Sequence, residues 1–253
     1  RSPDQTLLRN AEVEVERLNF YEGGFDYTLT PIEIKTDTGS ITAHVYFPTP
    51  DRLQQDGAWD FDKWVATHSE LTLIAAHEAM SYFGQKSHAE LDFMFPSSRA
   101  RAASKLAAKR EGYALSPSGF TRDDVALSAM ERKHAGYFTL EEHTLTHRSY
   151  SGNEVSDIKR EVFIGSDAAI LLPYDAKRDR VLLVEQFRAG PWARHNRSPW
   201  MLEPIAGRID PGETPLEAIL REAKEEANID VREPCEIAKV YASPGCNTEF
   251  FHI

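Results

Sequence analysis

The stretch from Thr214 to Ile229 constrains this chain more than any other segment. Thr214 is a suitable N-cap, Pro215 fits the first helical position, and Glu217 completes a capping-box spacing. The spacing predicts a helix from Pro215 to Ala227. Leu216, Ile219, Leu220, Ala223 and Ala227 fall on one face, which must pack inward. Glu222, Glu225 and Glu226 are related by three and four residues, so their carboxylates share a neighbouring stripe. Like charges at that spacing cost a helix roughly 0.2–0.5 kcal/mol per pair. Taken alone, the helix leaves two readings open. The stripe is a solvated face with Arg221 and Lys224 as counter-ions, or it is a cage of hard oxygen ligands for a divalent cation such as Mg²⁺. The cation would relieve the repulsion and reverse the local field.

Charge narrows what such a chain can bind. There are 29 basic and 40 acidic residues, a net charge of −11. That excludes a sequence-independent nucleic-acid binder, which needs a basic surface. It also means that an anionic substrate requires cations or a local arginine cluster inside the site. At 253 residues, 41% hydrophobic and 27% charged, the chain has the material for one large domain or two ordinary ones with packed cores. Cys235 and Cys246 match no spaced metal motif and are too sparse for a disulfide scaffold, which points to a reduced, cytoplasmic setting. No apolar run reaches the roughly 18–20 residues of a membrane span, and no secretory signal opens the chain. The start at Arg1 and the stop at Phe250-Phe251-His252-Ile253, within a strand-like run, read as a segment cut at both ends.

Along the chain, Tyr27 to Lys35 alternates, Thr36-Asp37-Thr38-Gly39 supplies a turn, and Ile41 to Phe47 returns, which predicts a hairpin. A loop bounded by Pro48 and Pro50 follows. Residues 60–83 and Ala100 to Lys109 read as helical, and Asp123 to Lys133 as a charged helix that connects two halves. From Tyr137 onward the pattern turns to strands: Thr139 to Ser149, Ala168 to Leu172, Val181 to Val184 and Ile237 to Ala242. His143 and His147 lie on such a strand. There, four residues span roughly 13 Å, too far to share one ion. Trp192, Trp200, Phe250 and Phe251 read as core or dimer contacts rather than base-stacking platforms.

The helix belongs to a longer spaced pattern. Gly207, five residues, Glu213, seven residues, Arg221-Glu222, apolar Ala223, one residue, Glu225-Glu226, one residue, Asn228 and apolar Ile229 stand in order. This pattern resembles the Nudix box, with Asn228 where that family has glycine. Asn is the next-best residue for a left-handed helix end. Residues 137–253 further resemble the ADP-ribose pyrophosphatase branch of the Nudix family. The resembling pieces are Leu171-Leu172-Pro173-Tyr174-Asp175, Arg178-Asp179, Val184-Glu185-Gln186-Phe187-Arg188, Pro199-Trp200-Met201-Leu202-Glu203, Ile205-Ala206-Gly207, and Ala242-Ser243-Pro244-Gly245 with Glu249.

That resemblance implies Mg²⁺, with Mn²⁺ as an alternative, held by the Ala206 carbonyl and by Glu222, Glu225 and Glu226. It implies catalytic roles for Arg221, Glu222, Glu225 and Glu226. Substrate contacts are implied at Arg160, Arg188, Glu203, Ser243, Gly245 and Glu249, although a surface arginine on a strand explains Arg160 equally well. The implied reaction is hydrolysis of ADP-ribose, or a related nucleoside diphosphate sugar, to AMP and a sugar phosphate by a homodimer. A glutamate on a loop after Ile253 is the implied general base. The alternative is a Nudix-fold module that senses such a nucleotide without cleaving it. Retention of all three glutamates favours the enzyme.

In the first half, Leu18-Asn19-Phe20-Tyr21-Glu22-Gly23-Gly24-Phe25-Asp26-Tyr27 and Ala43-His44-Val45-Tyr46-Phe47-Pro48 resemble the gamma-glutamylcyclotransferase-like fold. In active members a glutamate at the position of Glu22 is a general acid/base; a tight turn in a non-catalytic domain is the other reading. Such a domain joined to a Nudix module resembles tellurite-resistance proteins. The expected organisation is therefore α+β to α/β. A partial gamma-glutamylcyclotransferase-like β-barrel occupies residues 1–125, a helical connector 126–136, and a Nudix α/β/α sandwich 137–253.

Overall fold

A computed structural model of the chain describes residues 3–24, 26–50, 57–111 and 117–253. The chain divides into two compact units, Arg1–Ala102 and Ala103–Ile253. The first contains α1 (Pro3–Gly23), β1 (Tyr27–Thr36), β2 (Gly39–Pro48), α2 (Phe61–Met80) and the first part of α3 (His88–Glu111). β1 and β2 form the expected hairpin, in register from Tyr27 opposite Pro48 to Thr36 opposite Gly39. Gly39 has φ +134°, a turn conformation closed to L side chains. Asp60 caps α2 by accepting the Lys63 N–H at 2.9 Å. Phe20, Ala75, Ala79, Leu91 and Met94 are buried in this unit, and the buried Glu78 carboxylate accepts from Ser98 Oγ at 2.8 Å and from the Arg101 guanidinium. A buried ion pair of this kind is tolerable because further hydrogen bonds satisfy its oxygens.

Of the partial β-barrel expected over residues 1–125, the described residues show one hairpin and no closed barrel. Among the described residues of the first unit, β1 and β2 are the strands, and a two-stranded hairpin cannot close on itself. Strand-type alternation is confined to residues 27–48, and the chain from Phe61 to Glu111 is largely helical. Glu22 lies half-buried near the end of α1, where burial raises its carboxyl above the ordinary range. Phe25, and the residues that follow Pro50 up to 56, lie outside the described residues.

The second unit begins within α3, and a 3₁₀ turn, Arg122–Asp124, then leads into an antiparallel meander of β3 (Val125–Ala135), β4 (Thr139–Arg148) and β5 (Glu154–Ile164). The helical connector expected over 126–136, and the charged helix over 123–133, are thus a strand. The charges that read as a solvated helix are satisfied across the sheet. Arg132 stands opposite Glu141 and donates to it at 2.9 Å, and Lys133 lies 3.6 Å from Glu142. Such pairing is non-local, so the local composition of Glu131-Arg132-Lys133 does not reveal it. His143 and His147 lie on β4, the first bonded to Glu141 at 2.9 Å and the second to the Arg148 carbonyl at 2.8 Å.

The remaining elements are β6 (Ala168–Leu171), β7 (Tyr174–Asp175), β8 (Arg180–Val181), β9 (Val184–Phe187), α4 (Ala189–Ala193), β10 (Trp200–Glu203), β11 (Ile205–Arg208), α5 (Pro215–Ala227), β12 (Lys239–Tyr241) and β13 (Phe250–His252). The single strand expected over 181–184 is two short ones, β8 pairing with β7 and β9 with β10. β11, β6, β13 and β12 make a mixed sheet in that order, with β13 parallel to β6. Helix α5 packs on β11 and β6 through a core of Ala169, Ile205, Ala218, Ile219 and Ala223. Leu216 and Leu220, expected in the buried face, are 49% and 39% exposed. Ala218 takes the central place instead, because only a small residue lets the helix sit this close to the strands. Between residues 117 and 253 the described helices are α4, of five residues, and α5, so one layer of the expected α/β/α sandwich is present. No described helix is long and apolar enough to cross a membrane.

Candidate active site

Local chemistry sets α5 in place. Thr214 and Glu217 form a reciprocal capping box, with Thr214 N–H and hydroxyl both donating to Glu217 at 2.8 Å. At the other end Asn228 adopts the left-handed conformation, φ 49°, ψ 38°, and its N–H reaches the Lys224 carbonyl at 3.1 Å. The asparagine at a glycine position therefore performs the turn expected of it.

The acidic stripe is organised around one arginine. Arg221 grips Glu213 bidentately at 2.8 and 2.9 Å, donates to Glu222 at 2.7 Å, and reaches Glu225 at 3.5 Å and the Arg208 carbonyl at 3.2 Å. The hydrogen bonds to Glu213 hold Arg221 charged well above its ordinary range. Reciprocally, the Arg221 contact depresses the Glu213 carboxyl, and the Asp210 N–H adds to this at 3.1 Å. Glu222 lies over β11, where a Cβ at residue 207 would meet its Oε1 at 1.8 Å. Glycine at 207 is a packing requirement of that carboxylate. Glu226 points to the adjacent peptide, accepting the Ala206 N–H at 3.4 Å and Gln186 Nε2 at 3.2 Å.

An open cleft of about 410 Å³ runs along the sheet beside Ala206. Its walls are Ala168, Ile170, Arg188, Glu203, Pro204, Ala206, Gly207, Arg208, Glu249 and Phe251. Strand alternation explains the set. Ile205 turns toward α5, whereas Ala206 and Arg208 face the cleft. Arg188 donates to Glu203 at 2.8 and 2.6 Å, and these bonds raise its pKa beyond the ordinary arginine range. Arg208 lies with its guanidinium 4.5 Å from the centre of the Tyr137 ring.

The structure thus gathers Ala206, Glu222, Glu225, Glu226 and Arg221 at one end of α5, with Arg188, Glu203 and Glu249 in the adjoining cleft. Arg160 is elsewhere, on β5 with its guanidinium on the Lys159 carbonyl at 2.8 Å. Ser243 and Gly245 lie on the exposed β12–β13 turn and do not line the cleft. Sequence reasoning passed over Gln186 and Arg208. Alternation along 184–188 and 205–208 is the signal that places each beside an expected site residue.

Carboxylate and peptide oxygens at Glu222, Glu225, Glu226 and Ala206 suit a hard divalent cation. The Arg221 guanidinium already places positive charge between Glu222 and Glu225, so this pair tolerates a shared cation. Among the described residues no three His, Cys, Asp or Glu side chains are drawn together closely enough to ligate one ion. The glutamates would have to turn from the partners they hold here.

Residues 165–252 match the NUDIX domain. Curated relatives align over a longer span. The chain is 37% identical to the ADP-ribose pyrophosphatase of Escherichia coli (strain K12) over 133 residues, 53% of this chain and 63% of that protein. It is 37% identical to the ADP-ribose pyrophosphatase of Haemophilus influenzae over 137 residues, again 63% of that protein. It is 38% identical to the GDP-mannose pyrophosphatase of Escherichia coli O1:K1 / APEC over 117 residues, 46% of this chain and 60% of that protein. The chain therefore spans less than two thirds of the length of these relatives. A solved structure described as an ADP compounds hydrolase matches with a TM-score of 0.41 and 20% identity, over 56% of this chain and 67% of that one. The segment that matches the NUDIX domain contains α5, the arginine-centred carboxylates and all the walls of the cleft.

Proposed function

We propose that the Nudix domain hydrolyses the diphosphate of a nucleoside diphosphate sugar, with ADP-ribose the first candidate, to AMP and a sugar phosphate. The observation that carries this reading is the meeting of two features at Ala206. Its N–H is held by Glu226 of the acidic helix, and its side chain lines the cleft that contains Arg188. The names of the relatives, ADP-ribose pyrophosphatase and GDP-mannose pyrophosphatase, support the substrate class.

A diphosphate diester resists water because its charge repels the nucleophile. Glu222, Glu225 and Glu226 with the Ala206 carbonyl would hold Mg²⁺ or Mn²⁺, which supplies neutralisation of that charge and acidification of water. The rest falls to the chain itself. Arg188, turning from Glu203 to the substrate, offers a planar pair of donors to phosphate oxygens without titrating. Arg221 fixes Glu222 over Gly207, and Gln186 fixes Glu226, so the carboxylates are oriented before substrate arrives. Water adds to one phosphorus, the bridging oxygen leaves with the other phosphate, and a carboxylate takes the proton.

The test is to incubate the full-length protein with ADP-ribose and Mg²⁺ and follow AMP release, with Glu226→Gln alongside. Release that needs the ion and collapses in the variant supports the enzyme. Binding without release would favour a nucleotide sensor, and neither binding nor release would overturn the choice of ADP-ribose.

A further inference from the structure

We propose that Glu203 is a positioning residue for Arg188. It keeps the Nε edge of the guanidinium, and Arg188 turns about that edge to present its outer edge to a phosphate of the nucleotide. The inference rests on the function proposed above and adds to it the group that aims the arginine. Glu203 Oε2 alone makes both contacts, accepting from Nε at 2.8 Å and lying 2.6 Å from Nη2. These two nitrogens share one edge of the planar group. Nη1, on the outer edge that it shares with Nη2, has no partner among the described residues. That edge carries two parallel N–H groups, the fork that fits a pair of phosphate oxygens. Arg188 can therefore hold Glu203 and a phosphate at once.

The surroundings explain why the arginine needs an anchor. Glu203 comes three residues before Ala206, and both line the cleft with Arg188. The charge of Glu226 also acts on Arg188. An unanchored guanidinium would be drawn onto that carboxylate, one of the proposed Mg²⁺ ligands, or onto Glu249 in the cleft wall. Anchoring also removes rotamers of a long side chain that binding would otherwise have to freeze. The Arg188 and Glu203 side chains are 41% and 27% exposed, so water screens the charge of the pair. Glu203 thus acts through direction more than through charge, and a neutral acceptor of the same shape can replace it.

The experiment is calorimetric titration of α,β-methylene ADP-ribose, whose bridging carbon resists hydrolysis, into the full-length protein with Mg²⁺. Glu203→Leu should bind it with a Kd about ten-fold higher, the cost of ordering one long side chain. Glu203→Gln should stay within about three-fold of the parent, because one amide oxygen can take both contacts as Oε2 does. In an Arg188→Met background, itself weaker, Glu203→Leu should cause no further loss, a non-additivity that a merely structural role would not give. Binding by Glu203→Leu as tight as the parent's, or tighter, overturns the proposal; tighter binding would mean that Glu203 competes with phosphate for the arginine. An equal loss with and without Arg188 overturns it too. If Glu203→Leu fails to fold, Glu203→Thr, which suits a strand and is too short to reach Arg188, takes its place under the same criteria. If the parent does not bind the analogue, the proposed function fails on its own account. Glu203 is then judged with inorganic pyrophosphate and Mg²⁺, where equal binding by parent and Glu203→Leu, absence in both included, overturns its role.

Discussion

The Glu222 carboxylate lies directly over Gly207, so close that a Cβ on residue 207 would sit 1.8 Å from Oε1 and 2.0 Å from Cδ. Helix α5 and strand β11 are pressed together at this point by Ile205, Ala218 and Ala223, which are fully buried and leave no room for the backbone to retreat. In Gly207→Ala the side chain of Glu222 must therefore swing away and take its bond to Arg221 with it. Overpacking of this kind costs about 1–3 kcal/mol. Displacing a catalytic group by about 1 Å can cost on the order of 100-fold in rate. The expected outcome is a modest fall in thermal midpoint with a disproportionate loss of AMP release. A variant with unaltered turnover would show that the position of Glu222 over β11 is irrelevant to the chemistry.

Glu213 gives the fold a pH dependence whose sign follows from its partner. The Arg221 bonds hold its carboxyl below the ordinary range, outweighing partial burial. A carboxylate depressed in the folded state contributes stability above its unfolded value, about 4.3, and loses it as pH falls through the folded value. Urea unfolding of the parent between pH 6 and pH 3, in buffers spanning roughly that window, should lose stability more steeply than Glu213→Gln. Equal slopes would mean that the Arg221 pair contributes nothing to acid sensitivity.

Helix α5 was legible from sequence because its determinants are local: Thr214, Pro215 and Glu217 at one end and Asn228 at the other act within a turn of themselves. Strand β3 was not, because Arg132 finds Glu141 only after β4 folds back, and nothing within residues 125–135 announces that partner. The same distinction divides the candidate site. Glu222, Glu225 and Glu226 follow from helical spacing, whereas Arg208 and Gln186 become visible only when strand alternation decides which side chains share a face with Ala206 and Arg188. The placement of Arg160 and of the Ser243–Gly245 turn away from the cleft depends on how β5 and the β12–β13 connection run, which no local pattern encodes.

Asn228 occupies a left-handed position, φ 49°, at the end of α5. Residues other than glycine and asparagine pay roughly 1–2 kcal/mol there. Asn228→Ala should therefore lower the free energy of unfolding by an amount on the order of 1 kcal/mol, and Asn228→Gly should match or exceed the parent. Chemical denaturation of the three proteins decides it; an alanine variant as stable as the parent would show that the helix end relaxes out of this conformation.

Gln186 should act on catalysis through Glu226 rather than on folding. It lies on β9, and its amide donates to Glu226 Oε1 at 3.2 Å, while the Ala206 N–H donates to the other oxygen at 3.4 Å. Gln186→Leu keeps the volume and removes the donor, leaving one carboxylate oxygen without its partner and free to rotate. Losing a supporting hydrogen bond to a metal-binding carboxylate typically costs about 10–100-fold in metal affinity or activity. The expected signature is a higher Mg²⁺ requirement and a lower kcat, with ADP-ribose affinity in the Glu226→Gln background unaffected by the added Gln186→Leu change. That last comparison separates positioning from substrate contact. Once Glu226 is already an amide, a residue that only orients its carboxylate has nothing left to orient, whereas a residue that touched the nucleotide would still weaken its binding.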